Sequence, residues 1–217
     1  MHKNEVVEKT AEHVKSLFTG EGSGHDWWHI LRVWNNAKLI ASKEKSVNLF
    51  HIELGALLHD IADYKFHGGD ETIGGKTSAE WLKGLGVDEN DIEAVVHIVD
   101  NVSYKGGEIN KIKSFEGMIV QDADRLDAIG AIGIARCFAY GGNVGHEIYN
   151  PDIKPSLNMS KEEYKKHKST QVNHFYEKLL KLKDLMNTKS AKRIAQKRHV
   201  YMEKYLQEFL AEWEGKR

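Results

Sequence analysis

The chain is short of the residues that cross-link or interrupt a fold. Its single cysteine, Cys137, excludes a disulfide within the chain, so a reducing, cytoplasmic setting is expected. Only two prolines, Pro151 and Pro155, occur in 217 residues, and strand-like alternation is nearly absent. No run approaches the ~18 consecutive apolar residues of a membrane span. Even the apolar stretch 129–139 is broken by glycine and arginine, and the start MHKNEVVEKT lacks the apolar core of a secretion signal. A membrane role is therefore not expected. Charge of one sign is missing too. Lys and Arg number 31 against 32 Asp and Glu, and a net charge of −1 provides no global field for a polyanion. A nucleic-acid partner is not expected either, and a homodimer remains open.

What the chain does have is apolar residues recurring every three or four positions. This periodicity predicts an all-α fold, with helices near 3–18, 26–43, 48–62, 71–84, 89–101, 114–124, 126–140, 160–180 and 189–213. Asp26 and Asn48 are placed to cap helix starts, Gly20 to end the first helix, and Gly84 with Gly86 to stop the fourth. The stretch 141–159 holds both prolines and reads as a functional loop. Near the C-terminus, Ile194, Arg198, Tyr201, Tyr205, Phe209 and Trp213 form one helical stripe expected to pack on its own domain. One domain spanning 1–217 is expected, with a core over about 20–145 and C-terminal helices over about 160–213 packing on it.

Three segments carry chemistry: GHDWWHILRV at 24–33, ALLHDIADYKF at 56–66 and IVQDADRLDAIGAIGIAR at 119–136. Each sets histidine or aspartate among strongly apolar neighbours. Burying such groups costs several kcal/mol unless a partner compensates, and a bound cation is one such partner. Two imidazoles and two carboxylates drawn from three helices fill part of a divalent coordination sphere and leave room for water and substrate. Two other motifs are weaker. His25 and His29 stand one turn apart as in a zinc-protease helix, but Asp26 has replaced the required glutamate. Gly130 and Gly133 imitate a nucleotide loop, yet no strand precedes them, so close helix contacts are expected there.

An isolated histidine, a His-Asp dipeptide thirty residues later, and an aspartate in DADRLD together resemble the HD-domain phosphohydrolase superfamily. With the NVSYKGG run at 101–107, the chain is similar to the small bacterial HD proteins of the YpgQ and YedJ type. The resemblance covers roughly residues 20–145. It implies His29, His59, Asp60 and Asp124 as ligands of one divalent metal ion (Mn, Mg, Ni, Co or Fe), with Asp122 and Asp127 outside the set. Asp63 matches the acidic residue that positions or deprotonates the attacking water. On a continuing helix it also stands one turn beyond His59, on the same face.

Lys65, Tyr104 and Lys105 are candidate phosphate holders, with His97 and His25 as further contacts. Trp27, Trp28 and Trp34 are expected as core and rim packing, with stacking of one of them on a base as the alternative. The implied activity is hydrolysis of a small nucleotide, a (d)NTP being cleaved to (d)NMP and pyrophosphate by metal-bound water. The residues alone leave open which phosphate bond breaks. Two alternatives stand beside it: a dinuclear iron oxygenase using His67 and His97 as extra ligands, and a non-catalytic nucleotide sensor.

Overall fold

The computed structural model describes residues 2–18, 26–61, 73–102, 112–157 and 169–217. Among these residues the chain is helical and contains no strand. The helices are α1 (Lys3–Leu17), α2 (Trp27–Ala41), α3 (Leu49–Leu58), α4 (Ile73–Gly84), α5 (Glu89–Val102), α6 (Phe115–Asp127), α7 (Gly130–Val144), α8 (Gln171–Glu177) and α9 (Lys189–Trp213). A 3₁₀ helix, Leu179–Leu185, follows α8. The chain forms two compact units, Met1–Asp124 and Arg125–Arg217.

In the first unit α3 is the central element. Seven of its ten residues are buried, and it packs against α1, α2 and α5. Asn48 starts it by accepting the His51 amide. Leu54, Leu57 and Leu58 are wholly buried with Val14, Ile30, Leu82 and Val95 from the surrounding helices. Each such side chain contributes roughly 1.5–3 kcal/mol on leaving water. Gly55 allows α3 and α5 to approach closely, since a Cβ there would stand 2.8 Å from Cγ2 of Ile98. The expected stop of α4 is present. The helix ends at Gly84, and Gly86 adopts a left-handed φ of +71°. Gly20 lies outside the described residues.

The second unit is organised by aromatic rings. Tyr205, Phe209 and Trp213 of α9 make ring contacts with Phe138 of α7, Phe175 of α8 and Tyr149, so the C-terminal half of the expected stripe packs as anticipated. Tyr201 departs from it, with 54% of its surface exposed. Arg198 instead donates to the Leu126 carbonyl. The buried Asp127 carboxylate is held by Arg136 at 2.7 Å, which compensates its desolvation. Cys137 is buried, and burial pushes its thiol up to about 12, far from thiolate reactivity.

Several boundaries differ from the periodicity. The α6–α7 break falls at Ala128–Ile129, because α7 begins at Gly130 with a φ of +79°. A Cβ on Gly130 would meet Arg198, and one on Gly133 would stand 2.3 Å from the Ala128 carbonyl oxygen, so both glycines serve close packing. The helix expected over 160–180 is confined among the described residues to α8, which starts where Thr170 accepts the Asn173 amide at 3.2 Å. The expected loop begins later, since α7 runs on to Val144 and ends at Gly145 in the left-handed region.

Candidate metal centre

Four metal-capable side chains of the first unit converge, and each comes from a helix end. His29 is the third residue of α2, whose start is capped by Asp26 through a 2.9 Å hydrogen bond from the His29 amide. His59 caps the C-terminus of α3, and Asp60 lies in the turn just beyond. Asp124 sits in the last turn of α6. Helix ends suit this purpose because their side chains can be aimed by caps and turns rather than by the regular ladder.

The geometry is tight. Nε2 of His29 and Nε2 of His59 face each other at 3.3 Å. Asp60 Oδ2 stands 3.5 Å from both nitrogens, and Asp124 Oδ1 is 3.6 Å from Nε2 of His29. Donor atoms placed about 2.1 Å from a cation stand about 3.4 Å apart on tetrahedral edges and about 3.0 Å apart on octahedral ones. The observed separations lie close to the tetrahedral edge and exceed the octahedral one. The two imidazoles are buried, at 1% and 6% exposure, while the carboxylates keep an open side. Among the described residues His29, His59 and Asp124 are the one group of three or more whose donor atoms all lie within 4.8 Å of one another. Asp60 joins through its two imidazole contacts.

The His59 ring is held by its other nitrogen. Nδ1 lies 2.8 Å from the Ala56 carbonyl oxygen, so in the neutral ring Nδ1–H donates there and Nε2 keeps its lone pair toward the cluster. Two nitrogen lone pairs and two carboxylates around one point repel unless a positive charge lies among them. The donor set therefore fits a divalent cation that takes mixed nitrogen and oxygen ligands.

The same turn corrects one expectation. Helix α3 does not run to residue 62. It ends at Leu58, and the Ile61 amide bonds back to the Leu58 carbonyl at 3.0 Å. The Ala56 carbonyl, which a continuing helix would offer to the Asp60 amide, also accepts from the His59 ring. The one-turn spacing between His59 and Asp63 therefore loses its helical basis. Asp63 itself lies outside the described residues, as do Lys65, Tyr104, Lys105, His25 and His67.

His97, half-buried on α5, lines a cavity of about 360 Å³ with His51, Asn90, Glu93, Ser114 and Glu116. Its Nδ1 lies 3.4 Å from the side-chain Nδ2 of Asn101, and it is not in the compact donor group. Asp122 is fully buried on α6 and is likewise not in that group. Of the α2 tryptophans, Trp27 is buried and Trp34 donates to Glu53, while Trp28 is 59% exposed. Trp28 thus keeps the most open indole of the three.

The sequence of the HD domain family matches residues 27–129, which include all four converging side chains. YpgQ of Bacillus subtilis (strain 168) is 37% identical over 96% of this chain and 94% of its own length. The chain belongs to the HD-domain superfamily. Solved HD structures share its fold. An HD-superfamily hydrolase from Bacillus thuringiensis is 46% identical, with a TM-score of 0.78 over 98% of this chain and 99% of its own. Bacillus subtilis YpgQ in complex with ADP is 36% identical, with a TM-score of 0.70 over 92% of this chain and 95% of its own.

The register within DADRLD has a direct check. Asp124→Asn is expected to lose most bound metal, whereas Asp122→Asn retains it, as measured by metal content after gel filtration. The opposite pattern would shift the ligand by two positions.

Proposed function

We propose that the chain is a metal-dependent phosphohydrolase acting on nucleotides, with His29, His59, Asp60 and Asp124 as the metal ligands. The observation that supports this most is the convergence of those donors at 3.3–3.6 Å, open to solvent on the carboxylate side. A divalent cation bound there supplies charge neutralisation for a phosphoryl group and makes water easier to deprotonate. The remaining work belongs to the chain. In this reading Asp63 accepts the proton of the attacking water, the new oxygen–phosphorus bond forms at the α-phosphate, and the bond to the bridging oxygen breaks. Lys65 and Lys105 steady the charge on the departing pyrophosphate, and Tyr104, His25 and His97 are further candidate phosphate contacts.

The nucleotide part of the reading is supported by the ADP complex of YpgQ. Cleavage of a (d)NTP to (d)NMP and pyrophosphate is tested by separating the products of a deoxynucleoside triphosphate incubated with the protein and Mn²⁺. Pyrophosphate is the expected product. Orthophosphate would mean terminal cleavage, and tripolyphosphate would mean cleavage at the sugar. Either would overturn the pyrophosphatase reading while leaving a phosphohydrolase.

The lysines carry a separate expectation. Lys65→Ala and Lys105→Ala should weaken triphosphate binding about 10-fold while monophosphate binding stays nearly unchanged, because each removes one charge from the outer phosphates. Competitive inhibition constants for the two ligands decide it. Equal weakening of both would move that lysine to the α-phosphate or to the fold.

A further inference from the structure

We infer that Asp26 is a positioning residue for the metal centre, holding His29 in place as the N-cap of α2. This rests on the proposed role of His29 as a ligand. His29 lies in the first turn, where amide groups have no carbonyl of the same helix one turn back to bond to. Its amide is received by Asp26. The Asp26 carboxylate accepts it at 2.9 Å, and the Asp26 carbonyl lies 3.1 Å away and also accepts the Ile30 amide at 3.3 Å. Asp26 is extended, with φ −85° and ψ 173°, the conformation that turns a short side chain back over the first turn.

The other donors are steadied in other ways. The His59 ring is fixed through Ala56, and Asp124 follows nine residues of α6 that are already helical. Within this turn Trp27 and Ile30 are buried while Trp28 is largely exposed, so packing restrains the inner face of the turn and the cap holds its amide end. Loss of the cap lets this turn fray, and the His29 ring then moves away from Nε2 of His59 and the two carboxylates. Metal–ligand distances in a competent site lie within about 0.2 Å of their usual values, so such movement weakens the hold on the cation. The cap therefore acts on cation affinity more than on the chemical step.

The test uses the full-length, metal-free protein titrated with Mn²⁺ by calorimetry, with kcat and KM measured at saturating Mn²⁺ and thermal unfolding followed in parallel. Asp26→Ala is expected to weaken Mn²⁺ binding about 10- to 100-fold, the range for loss of a partner that orients a ligand. At saturating Mn²⁺, kcat should return close to the parent value. Asp26→Asn and Asp26→Ser retain a capping oxygen and should stay within about threefold of the parent. Asp26→Glu keeps the charge on a longer arm and should resemble Asp26→Ala.

If Asp26→Ala binds Mn²⁺ as the parent does, Asp26 does not position the site. If Asp26→Asn is as weak as Asp26→Ala, charge rather than capping is used, and the inference is also overturned. Should Asp26→Ala fail to fold, the contrast between Asn and Glu still decides. His29→Ala separates this inference from the one beneath it. Retention of Mn²⁺ by that variant would remove His29 from the ligand set, whereas its loss in His29→Ala alone would leave the metal reading standing without the cap.

Discussion

His59→Ala and Asp60→Ala are each expected to lose most bound metal and nearly all turnover. His59 contributes a buried nitrogen whose lone pair is aimed by the bond to Ala56, and no other described imidazole than His29 shares that cluster. Asp60 is the carboxylate that reaches both imidazoles at 3.5 Å. Losing a ligand should cost more than the about 10–100-fold typical of an outer partner. Each substitution also leaves the remaining polar groups without the cation that compensates them, at several kcal/mol. His13→Ala is the control, since that ring stacks on Trp81 at 3.7 Å rather than in the cluster. Metal content and initial rates measured on the same samples decide the matter. Full metal and full turnover in Asp60→Ala would remove the His-Asp pair from the centre.

Asp63→Asn should bind metal and nucleotide almost normally yet turn over at least ~100-fold more slowly, the usual scale for losing a general base. The asparagine keeps the size of the side chain and removes its capacity to accept a proton. The split between kcat and metal affinity is the diagnostic quantity. Loss of metal would make Asp63 a ligand, and an unchanged kcat would take it out of the reaction.

Much of this was readable from residue types and spacing, because local signals and burial agreed. Asn48, Asp26 and Gly84 lie at helix boundaries as their capping and chain-terminating chemistry implies. His29, His59, Asp60 and Asp124 stood out as polar groups amid apolar ones, and the fold brings them together. What periodicity could not supply was where side-chain hydrogen bonds and distant partners set the ends of helices. At the end of α3 the His59 ring bonds the Ala56 carbonyl, and hydropathy does not register such a bond. The α6–α7 break is displaced for a related reason. Leu126, Asp127 and Gly130 are engaged by Arg198 and Arg136, which lie up to 72 residues away in sequence. Short-range apolar spacing carries no information about such partners. Asp26 was legible as a cap, but its connection to the proposed metal centre follows only once His29 is seen facing His59.

The most direct measurement of the central claim is turnover of a nucleoside triphosphate by metal-stripped protein as Mn²⁺ is added back, with bound metal counted in parallel. Activity should be absent at the start and rise with bound metal, reaching its plateau at about one ion per chain. Undiminished turnover by the stripped protein would contradict the account, as would the absence of turnover with any divalent cation across a panel of phosphorylated substrates.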